Sequence, residues 1–242
     1  MKALVFALKT ALMAALMAGT ADASIVFSED FDNFANLTAQ GWSFQNNSIS
    51  AANPWFADTH NPPVPGLSDP FVSADFSSTG VTDPTGGNIS NWMLTPQLFF
   101  SNGFVLQFYT SSVGDPPDRL EVRLSTNGAS GDVGNTDTSV GDFTTLLLSI
   151  NPSLVSVFSP GGYPTTWTQY SITLSGLSGP TNGRFGFRYY VTDGGINGTN
   201  SNSIGVDLVQ LSDTVPEPSA LWLSAGGLFA LVVFRIRTSM FQ

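Results

Sequence analysis

Short segments of alternating apolar and polar residues constrain this chain more than any other feature. Residues 119–124 alternate between charged and apolar side chains, and in residues 104–109 the side chains of Phe104, Leu106 and Phe108 share one face. A period of two is that of a β-strand with one buried and one solvated face, so the charged side chains of 119–124 should face water. The alternation recurs in three later segments, 170–174, 185–189 and 204–208, and a first strand is predicted at 25–31.

The stretches between these strands are rich in turn-forming residues. The chain contains 24 glycines and 15 prolines, which favour turns over helices. Long irregular stretches cover 51–88, around one short strand at 71–76, and also 127–142 and 192–203. Antiparallel strands with long connections predict an all-β fold, a jelly-roll type antiparallel β-sandwich over residues 24–212.

The predicted body is strongly acidic. The whole chain has 18 acidic and 8 basic residues, with a formal net charge of −10. Asp22, both lysines and the last two arginines lie outside residues 24–217, which leaves 17 acids, 4 arginines and a net charge of −13. We expect no nucleic-acid partner, because a polyanion needs a basic surface, whereas divalent cations suit this charge.

Residues 1–23 have the pattern of a signal peptide. Two lysines, Lys2 and Lys9, precede an apolar run at 11–18, and the segment ends in Ala21 and Ala23, directly before Ser24. The small residues form an A-x-A cleavage pattern, which predicts an N-terminal signal helix that is removed after Ala23. A buried N-terminal helix is the alternative.

The C-terminal segment, 213–242, combines a proline-containing motif, an uncharged run and a basic end. The uncharged run at 220–234 would form a single transmembrane helix about 22 Å long, shorter than the ~30 Å hydrocarbon core. Arg235 and Arg237 behind it favour a cytoplasmic C-terminus. The motif at 215–219 consists of Val215, Pro216, Glu217, Pro218 and Ser219.

This order of motif, apolar helix and basic end resembles the PEP-CTERM sorting signal of Gram-negative bacteria. The resemblance implies export by the Sec machinery, a transient stay in the inner membrane and processing by an exosortase. It also implies a mature protein on the cell surface or outside the cell, in organisms that make exopolysaccharide. An ordinary membrane anchor behind a proline-rich linker is the alternative.

Three motifs in the body, at 27–31, 91–96 and 203–207, carry a second resemblance. Together they resemble a choice-of-anchor J domain, related to the cleaved-adhesin and MAM-like jelly rolls, over nearly all of residues 24–212. The resemblance implies a jelly roll on the bacterial surface and no defined ligand.

Catalysis is restricted by the residues that the body lacks. The chain has no cysteine, its two lysines lie in the predicted signal peptide, and His60 is its one histidine. Neither a Cys–His nor a Ser–Lys nucleophile pair can form in the body. Because His60 lies in a polar stretch, we expect a solvated loop histidine and no enzyme activity.

Calcium is the predicted cofactor, because related jelly rolls often bind this ion where the first and last strands meet. Glu29 and Asp207 occupy the corresponding motif positions, and Asp30, Asp32 and Asp75 could complete the ligand shell. Ordinary polar residues bonded to backbone amides are the alternative.

Aromatic residues in loops could stack on sugar rings. Core packing is the alternative for these residues, and it is the prediction for the tryptophans beside strand motifs. The candidate sugar contacts are Trp55, Phe56 and Tyr163, and the predicted core tryptophans are Trp42, Trp92 and Trp167.

These observations predict a non-catalytic cell-surface or extracellular-matrix protein that serves in a biofilm or in adhesion. A carbohydrate-binding module for exopolysaccharide is the alternative. A glycoside hydrolase ranks third, since a pair of carboxylates would suffice for that reaction.

Overall fold

A computed structural model describes residues 24–60, 66–67, 69–82 and 86–213. The predicted signal helix and transmembrane helix lie outside these ranges. In the described ranges, no helix is long and apolar enough to span a membrane. The helical pieces there are two 3-10 turns, at Phe34–Asn36 and Phe76–Ser78.

Twelve strands make up the described part of the chain. In chain order they are β1 Ile25–Glu29, β2 Ser43–Asn46, β3 Phe56–Asp58, β4 Phe71–Asp75, β5 Gly87–Leu94, β6 Leu98–Phe100, β7 Val105–Ser112, β8 Leu120–Ser125, β9 Thr145–Ile150, β10 Thr168–Thr173, β11 Thr181–Gly194 and β12 Ser203–Ser212.

The strands form two antiparallel sheets. The first sheet has the order β10-β7-β12-β4-β3, and β1 pairs with the second half of β12. The second has the order β2-β5-β11-β8-β9, and β6 pairs with the first residues of β11. Neighbours in sequence are seldom neighbours in a sheet, so long connections cross between the sheets. The prediction of an all-β, jelly-roll type sandwich is confirmed.

The core lies between the sheets, where the inward side chains meet. Phe108 in β7 and Phe187 in β11 contact each other edge to face, with ring centroids 5.2 Å apart, so this pair joins the first sheet to the second. Leu106, Val206 and Tyr189 are also fully buried. The apolar positions of the predicted alternation are therefore the positions that build the core.

The outer face of the second sheet is covered, and the prediction of a solvated face at 119–124 is wrong there. The connection between β8 and β9 packs Val133 and Phe143 onto Trp92. Beneath it Arg188, 1% exposed, donates to Glu121, and its guanidinium lies 3.7 Å from the ring centroid of Tyr190. A charged strand face can be buried because each charge has a partner.

Asp118 connects the two sheets at the end where β7 finishes and β12 begins. Its fully buried carboxylate accepts hydrogen bonds from Ser112 Oγ at 2.7 Å and from the backbone N–H of Asn202 at 2.7 Å, both in or beside the first sheet. In the second sheet, the hydroxyl of Tyr189 donates to it at 2.6 Å. One carboxylate thus accepts hydrogen bonds from β7, from β11 and from the residue directly before β12.

Burial raises the pKa of Asp118 from 3.8 to about 6, although the hydrogen bonds from Tyr189, Asn202 and Ser112 lower it. The folded state therefore retains a proton between about pH 4 and pH 6 that the unfolded chain has lost. Stability from this group is highest below pH 4 and falls as the pH rises to 6.

Asp118→Asn should remove this pH dependence, because the amide has the shape of the protonated acid and does not titrate. Urea unfolding at pH 4, 5, 6 and 7 measures the free energy of unfolding of both proteins. The free energy of the variant minus that of the wild type should rise by about 3 kcal/mol between pH 4 and pH 7. Parallel profiles for the two proteins would contradict the assignment.

Asp142→Asn is the control, because the stability that this carboxyl contributes should change with pH in the opposite direction. Hydrogen bonds from Ser130 and Asn127 lower the pKa of this exposed carboxyl, so its contribution is lost as the pH falls.

Candidate functional site

The candidate site lies on the outer face of the first sheet, at the middle of β12. The pairing of β12 with β7 shifts between Asp207 and Gln210, and Leu208 has a left-handed backbone with φ 47°. This bulge turns the Leu208 N–H onto Asp207 Oδ1, at 2.7 Å. Asp207 is fully buried, and its Oδ2 has no hydrogen-bond partner.

His60 lies beside Asp207, and the prediction of a solvated loop histidine is wrong. Its side chain is 1% exposed. The imidazole packs against the rings of Phe71 and Trp167, each at a centroid distance of 4.7 Å. A residue in a polar stretch is buried here because aromatic side chains from two distant segments enclose it.

Gly205 is what lets these rings approach the sheet. A Cβ on Gly205 would lie 2.6 Å from Phe71 and 2.6 Å from Trp167, which is closer than non-bonded carbon atoms tolerate. The absence of a side chain at Gly205 therefore allows Phe71 and Trp167 to pack directly against the backbone of β12.

Asp69 sets the orientation and the tautomer of His60. Its Oδ1 lies 2.6 Å from the backbone nitrogen of His60 and 2.6 Å from Nδ1. The hydrogen bond from the His60 backbone, followed by that from its side chain, lowers the pKa of Asp69, so this carboxylate is ionised and accepts. Nδ1 consequently donates to Asp69, and Nε2 is the ring nitrogen that faces Asp207.

Nε2 of His60 faces the carboxyl group of Asp207. His60 Nε2 and Asp207 Oδ2 are 3.7 Å apart, and neither atom has a hydrogen-bond partner among the described residues. Burial, together with the charges of Asp30, Asp32 and Asp69, raises the pKa of Asp207 to about 7, although the hydrogen bond from the Leu208 N–H lowers it. Because both atoms are buried and face each other without another partner, a proton or a cation between them would satisfy both.

The predicted calcium ligands are only partly brought together. Glu29 pairs with Val209 in the β1/β12 ladder, near Asp207, and its Oε1 accepts the N–H of Phe31 at 2.9 Å. Burial raises the pKa of Glu29. Asp30 accepts the N–H of Asp32 at 3.3 Å.

Asp75 lies away from this group. It pairs with Ser203, four residues along β12 from Asp207, which corresponds to about 13 Å. Its carboxylate caps a 3-10 turn by accepting the N–H of Ser77 at 2.8 Å. Among the residues that the structure describes, no three His, Asp or Glu side chains are grouped to hold a metal ion. Calcium binding therefore stays a prediction.

Two of the three candidate sugar contacts are core residues, which corrects that prediction. Trp55 is 1% exposed and donates its indole N–H to the carbonyl of Asn91 at 3.2 Å. Tyr163 is also 1% exposed, and its hydroxyl lies 2.7 Å from Thr110 Oγ1. Phe56 is half-buried. Trp42 and Trp92 are in the core as predicted, and Trp167 is half-buried in the cluster with His60.

Sequence reasoning missed an exposed aromatic residue, Phe158, whose side chain is 90% exposed. The loop that carries it is held by Asp115, which accepts the N–H of Val157 at 2.9 Å and the hydroxyl of Ser156 at 2.5 Å. Val113, 74% exposed, lies on the loop that contains Asp115. A single phenylalanine in a loop gives no periodic signal, so its exposure was not visible in the sequence.

The four arginines of the body all have internal partners. Arg119 donates to the carbonyl of Tyr190, and Arg123 donates to Glu121. Arg184 donates to the carbonyl of Gly41, and Arg188 donates to the carbonyl of Asp137. The described residues contain no lysine, and each arginine already donates a hydrogen bond within the fold.

Comparison with known proteins confirms the sorting signal. Residues 214–237 match the model of the PEP-CTERM protein-sorting motif. This match covers the predicted motif, the uncharged run and the basic end. A comparison with curated proteins found no match.

Solved structures show which fold the body shares. The chain is similar to the K1 cleaved adhesin domain of Lys-gingipain from Porphyromonas gingivalis W83, with a TM-score of 0.50 and 19% identity over 78% of this chain and 98% of that chain. The K3 domain of the same protein gives a TM-score of 0.48 and 21% identity, over 80% of this chain and 100% of that one.

A family 11 carbohydrate-binding module from Clostridium thermocellum, in complex with a mixed-linked tetrasaccharide, gives a TM-score of 0.39 and 15% identity, over 79% of this chain and 99% of that chain. At such identities the likeness to the K1 domain shows the fold alone. The cleaved-adhesin type of fold is confirmed, and the choice-of-anchor J family stays a prediction.

Proposed function

We propose that this protein is an exported, non-catalytic surface or matrix protein that an exosortase processes. The observation that carries the proposal is the sorting motif at 214–237, which begins two residues after β12 ends at Ser212. The sandwich is thus complete before the signal starts. Removal of the signal would leave the folded body intact.

The route follows from the two ends of the chain. The Sec machinery would export the precursor, the run at 220–234 would hold it in the inner membrane, and the exosortase would release or transfer the body. The strongly acidic body suits a soluble domain on the outside of a Gram-negative cell.

The site geometry supports a non-catalytic role. His60 is the one histidine in the sequence. Aromatic rings and carboxylates enclose it, and among the described residues no serine hydroxyl or other nucleophile is hydrogen-bonded to it. A groove of about 350 Å³ between Val26, Phe99 and Leu211 is lined by apolar side chains and one acid, Asp213. A glycoside hydrolase would need two facing carboxylates in such a cleft.

The sorting proposal predicts a processed C-terminus. Intact mass spectrometry of protein taken from the surface of the producing cells should show chains that end near 215–219. In a strain without its exosortase, the same protein should keep residues 220–242 and stay with the inner membrane. Surface protein that retains the tail in the wild-type strain would contradict the proposal.

A second candidate function is carbohydrate binding, and Phe158 favours it. An aromatic ring held in water by a braced loop is suited to stacking against the apolar face of a sugar ring. Since the arginines of the body are engaged internally, the ligand that fits this surface is an uncharged polysaccharide rather than an acidic one.

This candidate predicts binding that depends on one ring. The purified protein should bind a neutral polysaccharide on a glycan array, and Phe158→Ala should weaken that binding by about 1–3 kcal/mol, roughly a five-fold to 150-fold loss. Leu146→Ala, which removes a half-exposed apolar side chain on β9, is the matched control and should bind as the wild type does. Equal binding by all three proteins would remove Phe158 as the contact.

A further inference from the structure

We propose that strand β9, at the edge of the second sheet, pairs with β9 of a second copy of this chain to form an antiparallel, two-fold symmetric dimer. The proposal goes beyond the proposed function and does not depend on it. When two identical strands pair antiparallel, a two-fold axis relates them, so each copy presents the same surface to the other.

The first step is the free edge of β9. The second sheet ends at β9, and among the strands of the described ranges β8 alone pairs with it. A strand at the edge of a sheet presents a row of N–H and carbonyl groups on its outer side, and this row is a template for one more strand. Because the backbone supplies the hydrogen bonds, the partner must above all be an extended segment.

The second step is the composition of this edge. Charged side chains and prolines on an edge strand hinder its pairing with another chain. Thr145–Ile150 contains neither, and its three leucines are exposed or half-buried. The pairing of β8 with β9 shifts between Val122 and Arg123, so a bulge interrupts the regular ladder. We therefore expect a short paired segment and a weak, reversible dimer.

The other strands at the ends of the sheets differ from β9. Strand β3 ends in Asp58, which is exposed. The guanidinium of Arg184 donates to Ser43 in β2, at 3.2 Å, which places a charge beside that strand. The exposed side chains of β10 are polar, from Gln169 to Thr173. An uncharged edge with apolar side chains at its surface is thus a property of β9.

The choice of partner follows from where the charges of the body lie. The longest uncharged stretch of the body is 143–183, and β9 lies within it. In the neighbouring strands, the positive charges of Arg119, Arg123 and Arg188 surround one acid, Glu121. Since the rest of the body is strongly acidic, two copies repel each other least when their β9 edges meet. This favours a second copy as the partner.

Analytical ultracentrifugation of the body tests the proposal. Residues 25–213 form one compact unit that contains both sheets, so the body is used without the tail. We expect a monomer–dimer equilibrium at protein concentrations between about 10 μM and 1 mM. Added salt should strengthen the dimer, because it screens the repulsion between two acidic bodies. A body that stays monomeric over the whole range would overturn the proposal.

Charges placed on the edge locate the interface. Thr145 is exposed on β9, so Thr145→Lys and Thr145→Glu should each weaken the dimer at least ten-fold, because like charges meet across the two-fold axis. A mixture of the two variants in equal amounts should restore it. Ala57→Lys, at an exposed position of β3, is the control and should dimerise at least as well as the wild type. A dimer that ignores both charges at Thr145, or that Ala57→Lys weakens equally, would overturn the proposal.

Hydrogen exchange on the wild-type body gives a readout that needs no variant. Amide exchange in Thr145–Ile150 should slow as the protein concentration rises, because the outer N–H groups of β9 become hydrogen-bonded in the dimer. Exchange in β3 should not change with concentration. Protection that grows in other strands while that of β9 stays constant would overturn the proposal, even where a dimer forms.

Discussion

The hydrogen bonds to the carboxylate of Asp118 hold the two sheets in one arrangement. Hydrophobic contact between the sheets is not directional, so by itself it permits the sheets to slide or rotate. Asp118 accepts from Ser112 and Asn202 on one side and from Tyr189 on the other, with distances of 2.6–2.7 Å. Losing any one donor would leave part of a buried carboxylate unsatisfied, which is costly.

The same residue organises the loops at its end of the sandwich. The carbonyl of Asp118 accepts from the side chain of Asn151, at 2.9 Å, and the carbonyl of the preceding Pro117 accepts from Ser201, at 2.9 Å. The loop with Phe158 is in turn attached to Asp115. The exposed aromatic ring is therefore positioned by a chain of contacts that begins at the link between the sheets.

Some strands could be predicted from the sequence and others could not. Residues 105–109 of the predicted segment 104–109 lie in β7, because one face of the strand is buried and the alternation is visible. Strand β5 was not predicted as a strand from its pattern, because seven of its eight residues are buried and both faces are apolar or paired. Burial on both faces erases the period of two.

The candidate site shows the same limit more sharply. Asp207 was found through a resemblance, but the burial of His60 depends on Trp167, which is more than a hundred residues away in sequence. Trp55 and Tyr163 were candidate sugar contacts because they lie in stretches without strand alternation, although both are core residues. Local composition describes the neighbours in sequence, whereas burial depends on neighbours in space.

The most direct test of this account is a double-mutant cycle between the two sheets. Ser112→Ala and Tyr189→Phe each remove one hydroxyl donor to Asp118, and their effects on the free energy of unfolding should be coupled by roughly 0.5–3 kcal/mol. The coupling should disappear when the cycle is repeated with Asp118→Ala. Additive effects in the protein that retains Asp118 would show that this carboxylate does not link the sheets.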